Sequence, residues 1–222
     1  MRDEAPVNRG RKFQQVIHGA RRVFLRDGFE GASVDEIARV AGVSKATLYS
    51  YFPDKRLMFL HVFREELANC FADSSMLLTI EAPPEVILPA VMRLVADHIT
   101  SDQGVSIYRV CIGEAARFPE IAKAYHDAGP KRLCRHLACY LQGAVDRGEL
   151  IIPDVEIAAA QLLELAAIEI RNTANFQGPT RVNPERMEEI CRAGMQMFMS
   201  CYGAANAMRH PPSRFQGQSG RS

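Results

Sequence analysis

Residues 33–52 read SVDEIARVAGVSKATLYSYF, and the fold prediction starts from this stretch. Ser33 with Glu36 three residues later forms a capping box, which marks the start of a helix. Ala41-Gly42-Val43 predicts a tight turn, and Ser44 is a favourable N-cap for a second helix from Lys45 to about Tyr51. Two short helices joined by a turn that contains glycine are typical of a helix-turn-helix.

The side chains of this stretch divide into a packing face and an exposed face. The apolar residues spaced to pack both helices onto a preceding one are Val34, Ile37, Ala38, Val43 and Leu48. Lys45, Ala46 and Tyr49 are left on the opposite face of the second helix. In a helix-turn-helix this face enters the DNA major groove, where Lys45 can reach a guanine edge and Ala46 a thymine methyl. The hydroxyls and ammonium at the helix starts and flanks are expected to hold phosphates, namely Ser33, Thr47, Tyr51 and Lys55.

Helical periodicity continues outward from the motif, so the predicted fold class is all-α. Upstream, Phe13, Ile17, Ala20 and Phe24 form one apolar stripe, and this helix is expected to end at Gly28. The other predicted helices are 54–74, 84–101, 104–116, 119–128, 130–148, 154–175 and 184–203. The predicted organisation is a disordered basic arm at 1–12, a helix-turn-helix domain at 13–58, a larger helical regulatory and dimerisation domain at 59–203, and a disordered tail at 204–222.

Charge is distributed unevenly along the chain although its net value is only +1. Residues 1–60 hold 11 Lys/Arg against 7 Asp/Glu, and the remainder holds 16 against 19. A basic first quarter on a slightly acidic body suggests an anionic partner for that segment. No apolar run reaches the ~20 residues that span a bilayer. The N-terminus also lacks the apolar stretch of a signal peptide, so a cytoplasmic location without membrane contact is expected.

The remaining motifs argue against catalysis and metal binding. We find no glycine-rich phosphate loop, nucleophile elbow or metal-binding His-Glu pair, which predicts a protein that is not an enzyme and has no cofactor or catalytic residue. His136 and Cys139 lack further clustered ligands, so no metal site is expected. The six cysteines have no paired spacing and are interpreted as small buried side chains, with a redox sensor as the alternative. They are Cys70, Cys111, Cys134, Cys139, Cys191 and Cys201.

The stretch from Ala20 to Phe63 resembles the N-terminal domain of the TetR family of bacterial regulators. The resemblance is carried by Phe24, Gly28, Phe29, Ser33, Ile37-Ala38, Ala41-Gly42-Val43-Ser44, Leu48-Tyr49-Ser50-Tyr51-Phe52 and Lys55. Residues 113–120 and 147–150 are similar to the AefR-like subset of C-terminal domains. Tyr51 stands where many relatives have histidine, and Pro53 where a polar residue is common.

This resemblance implies a mechanism. Base contacts would come from Lys45, Ala46 and Tyr49. Phosphate contacts would come from Ser33, Ser44, Thr47, Tyr51 and Lys55. The family resemblance further implies an all-helical homodimer on a palindromic operator, acting as a repressor that releases DNA when the larger domain binds a small molecule. Two rival hypotheses are an enzyme and a helical interaction module that has no ligand.

The C-terminal part of the sequence supports a dimer and suggests a pocket. One apolar stripe on the last helix comprises Met187, Ile190, Cys191, Gly194, Met195, Phe198 and Cys201, and another on the helix before comprises Ile157, Gln161, Leu165 and Ile168. Together they predict a four-helix interface, unless both face the core of their own subunit. Polar groups within apolar runs are the candidate ligand contacts. These are His98, Arg109, Glu114 and Tyr125, with a core role as the alternative for His98 and a surface pair with Arg117 for Glu114.

Overall fold

The computed structural model describes residues 10–68 and 72–204, and over these residues it contains helices and no β-strand. The all-α prediction is therefore confirmed. The helices are α1 Arg11–Gly31, α2 Val34–Ala41, α3 Lys45–Tyr51, α4 Lys55–Ala68, α5 Ala72–Leu77, α6 Pro84–Thr100, α7 Asp102–Gly113, α8 Pro119–Ala128, α9 Pro130–Asp146, α10 Val155–Gln177 and α11 Pro184–Tyr202. A 3-10 turn at Pro179–Arg181 separates the last two.

The chain divides into two compact units. The first comprises residues up to 72 together with 98–132, and so contains α1 to α4, α7 and α8. The second comprises residues 73–97 and those from 133 onward, with α5, most of α6 and α9, and all of α10 and α11. The boundary predicted after residue 58 lies within α4. The unit that holds the helix-turn-helix also holds two later helices, which local sequence patterns do not reveal.

Helix α1 begins and ends differently from the prediction. It starts at Arg11 with Gly10 as its N-cap, so Arg11 and Lys12 are helical rather than part of a disordered arm. Gly28 has φ 69° and ψ −171°, a conformation that only glycine adopts easily, and helical structure resumes up to Gly31. Residues 1–9 lie outside the described residues, as does the predicted tail apart from Ala204.

The core of the first unit is built from α1, the helix-turn-helix and an aromatic cluster. The predicted α1 stripe of Phe13, Ile17, Ala20 and Phe24 is buried. An added Cβ at Gly19 would lie 2.7 Å from the Ala41 backbone nitrogen and Cβ, so glycine permits the close approach of α1 and α2. The aromatic cluster consists of Phe24, Phe29, Phe59, Phe63 and Phe118.

In the second unit α10 packs against α11, and the end of α11 is held by backbone bonds. Ile151 N–H donates to Tyr202 O at 2.8 Å, and Ala204 N–H donates to Glu149 O at 3.1 Å. The Tyr140 hydroxyl donates to Ala82 O at 2.6 Å and so holds the segment before α6 against α9. Within the described residues no helix is long and apolar enough to cross a membrane.

The cysteine prediction is wrong for most of the thiols that the structure describes. Cys111 is buried, Cys134 and Cys191 are half-buried, and Cys139 and Cys201 are exposed. Burial raises the pKa of the Cys134 and Cys191 thiols. Cys70 lies outside the described residues. No group of three or more His, Cys, Asp or Glu side chains able to hold a metal ion is found in the described part of the chain.

Candidate nucleic-acid interface

The caps that define the helix-turn-helix are formed. Ser33 Oγ accepts from Glu36 N–H at 3.1 Å, and Ser44 Oγ accepts from Thr47 N–H at 3.1 Å. Gly42 takes the left-handed conformation, with φ 64°, and ends α2. The two serines each satisfy a backbone donor that a helix start leaves free, and the Gly42 N–H donates to carbonyls at the end of α2, so both ends of the turn are fixed.

The Glu36 side chain has a different role from the one a capping box gives it. Its carboxylate accepts two bonds of 2.8 Å from the Arg39 guanidinium, and it also pairs with Arg26. The bond from Arg39, more than any other contact, lowers the pKa of Glu36 to about 2. The negative charge of Glu36 in the first turn of α2 is therefore balanced by the two neighbouring arginines.

The predicted reading face of α3 is exposed. Lys45, Ala46 and Tyr49 are all on the surface, with 48% of Tyr49 accessible, whereas Leu48 is fully buried beneath them. Lys45 forms an ion pair with Asp35 of α2. The surface presented by α3 is thus an alanine methyl and a tyrosine ring, beside a lysine whose charge is already paired.

The candidate phosphate contacts differ in how exposed their side chains are. Ser33 and Ser44 are exposed, and the hydroxyls of Ser44 and Thr47 lie 2.9 Å apart. Tyr51, another candidate phosphate contact, is half-buried because its ring packs edge-on against Phe13, with 5.5 Å between the centroids. Part of the Tyr51 ring is therefore packed in the hydrophobic core.

Lys55 has protein partners that the sequence pattern did not reveal. Its ammonium donates to Phe29 O at 2.7 Å and Ala32 O at 2.9 Å, and it lies 4.3 Å from the centroid of the Phe29 ring. The last carbonyls of a helix lack partners within the helix, so this lysine serves as a cap for α1. The phosphate role of Lys55 stays a prediction.

Comparison with known proteins identifies the family. Residues 16–62 match the family described as bacterial regulatory proteins, tetR family, and residues 87–204 match the AefR-like transcriptional repressor, C-terminal domain. The chain belongs to the TetR family of transcriptional regulators. Its N-terminal helix-turn-helix is the family's DNA-binding element, and the family consists of regulators rather than enzymes.

Individual relatives agree with this assignment. The flavonoid-responsive regulator FrrA is 30% identical, with a TM-score of 0.64 over 87% of this chain and 98% of that one. A TetR-family transcriptional regulator from Mesorhizobium loti has a TM-score of 0.78 at 26% identity, over 89% and 99%. The transcriptional repressor AcnR of Corynebacterium efficiens is 37% identical over 66 residues, which is 30% of this chain. That match spans about a third of AcnR, 34% of its length.

We call helices α1 to α4 of this TetR-family chain the reading head. Within the first unit, α7 and α8 contact the reading head. Glu114 Oε1 accepts from Phe29 N–H at 3.2 Å, directly after the kink at Gly28. Arg117 forms an ion pair with Glu30, and the Phe118 ring packs 4.6 Å from that of Phe29. We call Phe29, Phe59, Glu114 and Phe118 the junction cluster; it joins α1, α4 and the α7–α8 turn.

Two of the four candidate ligand contacts share a cleft. Arg109 and Glu114 line a cleft of about 430 Å³ together with Arg26 and Ser106. His98 and Tyr125 are not among the residues lining this cleft. His98 is half-buried, and burial lowers the pKa of its imidazole, while Tyr125 packs edge-on against Tyr108. The ligand role of all four residues remains a prediction.

The two apolar stripes predicted for dimerisation are divided between core and surface. On α11, Met187, Gly194 and Phe198 are buried within the unit, so this part of the predicted interface stripe is wrong. A Cβ at Gly194 would touch Leu165 and Met92 at 3.4 Å, which explains the small residue there.

A different row of side chains remains exposed on these helices. It consists of Ile157, Gln161 and Ile168 from α10 with Met197 and Cys201 from α11. Between the two helices, Gln161, Ile168, Met197 and Cys201 of this row border an apolar groove of about 540 Å³. The stripe predicted from the sequence contained Met195 and did not include Met197, which lies two residues further along α11.

Proposed function

We propose that this TetR-family protein is a ligand-responsive repressor that binds a palindromic operator as a homodimer. The observation that carries the proposal is the exposed face of α3, where Lys45, Ala46 and Tyr49 stand on a capped helix. A short side chain at residue 46 allows α3 to approach the bases closely, and the flanking hydroxyls of Ser33 and Ser44 suit backbone phosphates.

Selection of bound duplexes from a random DNA pool tests this function. The expected result is enrichment of an inverted repeat, because two symmetry-related copies of α3 would read it. The centres of its half-sites are expected to lie ~10 base pairs apart, which is one helical turn, or a small multiple of that distance. Recovery of no common sequence would contradict specific DNA binding. An unsymmetrical single site would contradict reading by a dimer.

The exposed apolar row on α10 and α11 supports the dimer. Ile157 and Ile168 are 55% and 54% exposed and Met197 is 60% exposed, although isoleucine and methionine are usually buried. Contiguous apolar surface on a water-soluble unit marks an interaction site. Two copies related by a two-fold axis would pair α10 and α11 with their counterparts as a four-helix bundle.

The mass of the protein in solution tests this interface. Wild-type protein is expected to have twice the chain mass by light scattering, and Ile168→Lys is expected to shift it to one chain. Val86→Lys is the matched control, since Val86 is 61% exposed on α6. A dimeric Ile168→Lys variant, or a control that dissociates equally, would rule out the proposed surface.

We propose further that a small molecule acts through α7 and α8. FrrA, which is 30% identical, is named for its response to flavonoids, so hydroxylated flavonoids are the first effector class to test. The candidate contacts are His98, Arg109, Glu114 and Tyr125. A displacement of α7 and α8 would reach α1 and α4 through the junction cluster, because Glu114 and Phe118 contact Phe29 directly.

A further inference from the structure

Helix α1 carries positive charge that the structure leaves uncompensated. Residues 11–26 contain five Lys or Arg residues and one His, with no Asp or Glu among them. Four of these side chains are exposed and have neither a hydrogen bond nor an ion pair with any residue that the structure describes: Arg11, Lys12, His18 and Arg22. A helix that binds nothing anionic gains no stability from such a run, because like charges along its face repel.

Four other cations near α1 and α3 have partners within the protein. Arg39 is paired with Glu36, and Lys45, the lysine of the recognition helix α3, is paired with Asp35. Arg26 is bound by Asp27 through two bonds of 2.6 Å, and Lys55 is bound by two backbone carbonyls. Lys45, the one cation of α3, is therefore paired with a carboxylate, whereas Arg11, Lys12 and Arg22 of α1 are paired with none that the structure describes.

The first turn of α1 lies beside the end of α3. Phe13 directly follows Arg11 and Lys12, and its ring packs edge-on against Tyr51 at 5.5 Å and stacks on Phe52 at 5.8 Å. Arg22 is eleven residues further along the helix, about 16 Å from Arg11 at the rise of an α-helix. That separation exceeds the ~10 Å screening length of 0.1 M salt.

We propose that Arg11 and Lys12 bind the phosphodiester backbone of DNA beside the bases read by α3. The inference rests on the proposed DNA-binding function and adds a second contact surface to it. Because phosphates are the same at every sequence, these two residues supply affinity and its salt dependence, while Lys45, Ala46 and Tyr49 supply sequence preference.

Binding measured at several salt concentrations tests the proposal. Full-length wild-type protein and the double variant Arg11→Ala/Lys12→Ala are titrated with the selected operator and with an unrelated duplex of equal length. Releasing two phosphate contacts is expected to make the slope of log K against log salt shallower by about 1.8 for each subunit. The Kd is expected to rise by the same factor for both duplexes, so their ratio stays unchanged.

Arg22→Ala is the matched control, since it removes one unpaired cation from the same helix away from Tyr51. It is expected to retain the wild-type slope, and all variants are compared by circular dichroism and thermal unfolding. A folded double variant with the wild-type slope overturns this inference and leaves the proposed function standing. An equal effect of Arg22→Ala overturns the placement at the first turn, and a loss of the duplex ratio overturns the phosphate role. Wild-type protein that prefers no duplex contradicts the proposed function itself.

Discussion

At the scale of single residues, Lys55 shows how one side chain can support the DNA-binding helices through contacts within the protein. Its ammonium satisfies two carbonyls at the end of α1 and lies over the Phe29 ring. Hydrogen bonds to a charged donor contribute more than neutral ones, and removing the donor leaves both acceptors unpaired. The lysine therefore holds the kinked end of α1 against the start of α4.

Lys55→Met is expected to lower the free energy of unfolding by about 1–3 kcal/mol in a denaturant titration. Arg56→Met is the matched control, because Arg56 makes an exposed ion pair with Glu120, and such pairs contribute about 0–1 kcal/mol. If the two variants unfold alike, the capping role of Lys55 is wrong. Measuring operator binding by the same variants separates this role from the predicted phosphate contact.

His98 gives the protein a pH dependence of known sign. Burial lowers the pKa of its imidazole below the ordinary 6.5, so the unfolded chain binds a proton more readily than the folded one. Stability is consequently lost as the pH falls through about 6.5 towards the folded pKa. His98→Gln is expected to reduce the loss of stability that denaturant titrations measure between pH 7 and pH 5. A steeper loss in His98→Gln would contradict this account.

At the scale of elements, the close contact of α1 with α2 depends on Gly19. A Cβ there would lie 2.7 Å from the backbone nitrogen of Ala41, and neither helix can yield without moving the reading head. Gly19→Ala is expected to cost about 1–3 kcal/mol of stability through overpacking. Gly113→Ala is the matched control, since its Cβ would meet nothing within 4 Å. Thermal unfolding compares the two, and equal stability would show that α1 and α2 are not tightly apposed.

The elements themselves were largely predictable because their ends are set by local chemistry. Ser44 and the turn glycine Gly42 are recognised from neighbouring residues alone, and both act as predicted. The contacts that join elements were not predictable. The bond from Phe29 N–H to Glu114 connects residues 85 positions apart, and no spacing in the sequence signals it.

The same reason explains the errors at the candidate sites. Periodicity places Phe198 and Cys201 on one stripe of α11, yet packing buries the first and leaves the second exposed. Tyr51 resembles Tyr49 in sequence, but only Tyr51 meets Phe13. Which of two similar residues faces the core depends on partners far away in the chain.

At the scale of the whole molecule, effector binding and operator binding are two equilibria of one protein. If a flavonoid favours a conformation with displaced heads, operator DNA must weaken flavonoid binding by the same factor by which flavonoid weakens operator binding. Calorimetric titration of a hydroxylated flavonoid into free and operator-bound protein measures the first factor, and titration of operator into free and flavonoid-bound protein measures the second. Phe118→Ala is expected to reduce them together, because it removes the junction between α8 and α1. A flavonoid that binds free and operator-bound protein equally well would contradict a shared switch, and operator binding that no flavonoid changes would favour a regulator without this ligand class.

The central claim is that the exposed face of α3 reads the bases. Its most direct test is to measure how strongly the Tyr49→Ala variant prefers the operator over an unrelated duplex. Tyr49 is half exposed above a fully buried Leu48, so truncation removes a surface ring and leaves the packing of α3 intact. We predict that the preference falls by about tenfold or more, since a lost base contact costs about 1–3 kcal/mol, while binding to the unrelated duplex and thermal stability stay at the wild-type level. A Tyr49→Ala variant that keeps the full preference for the operator would contradict the account.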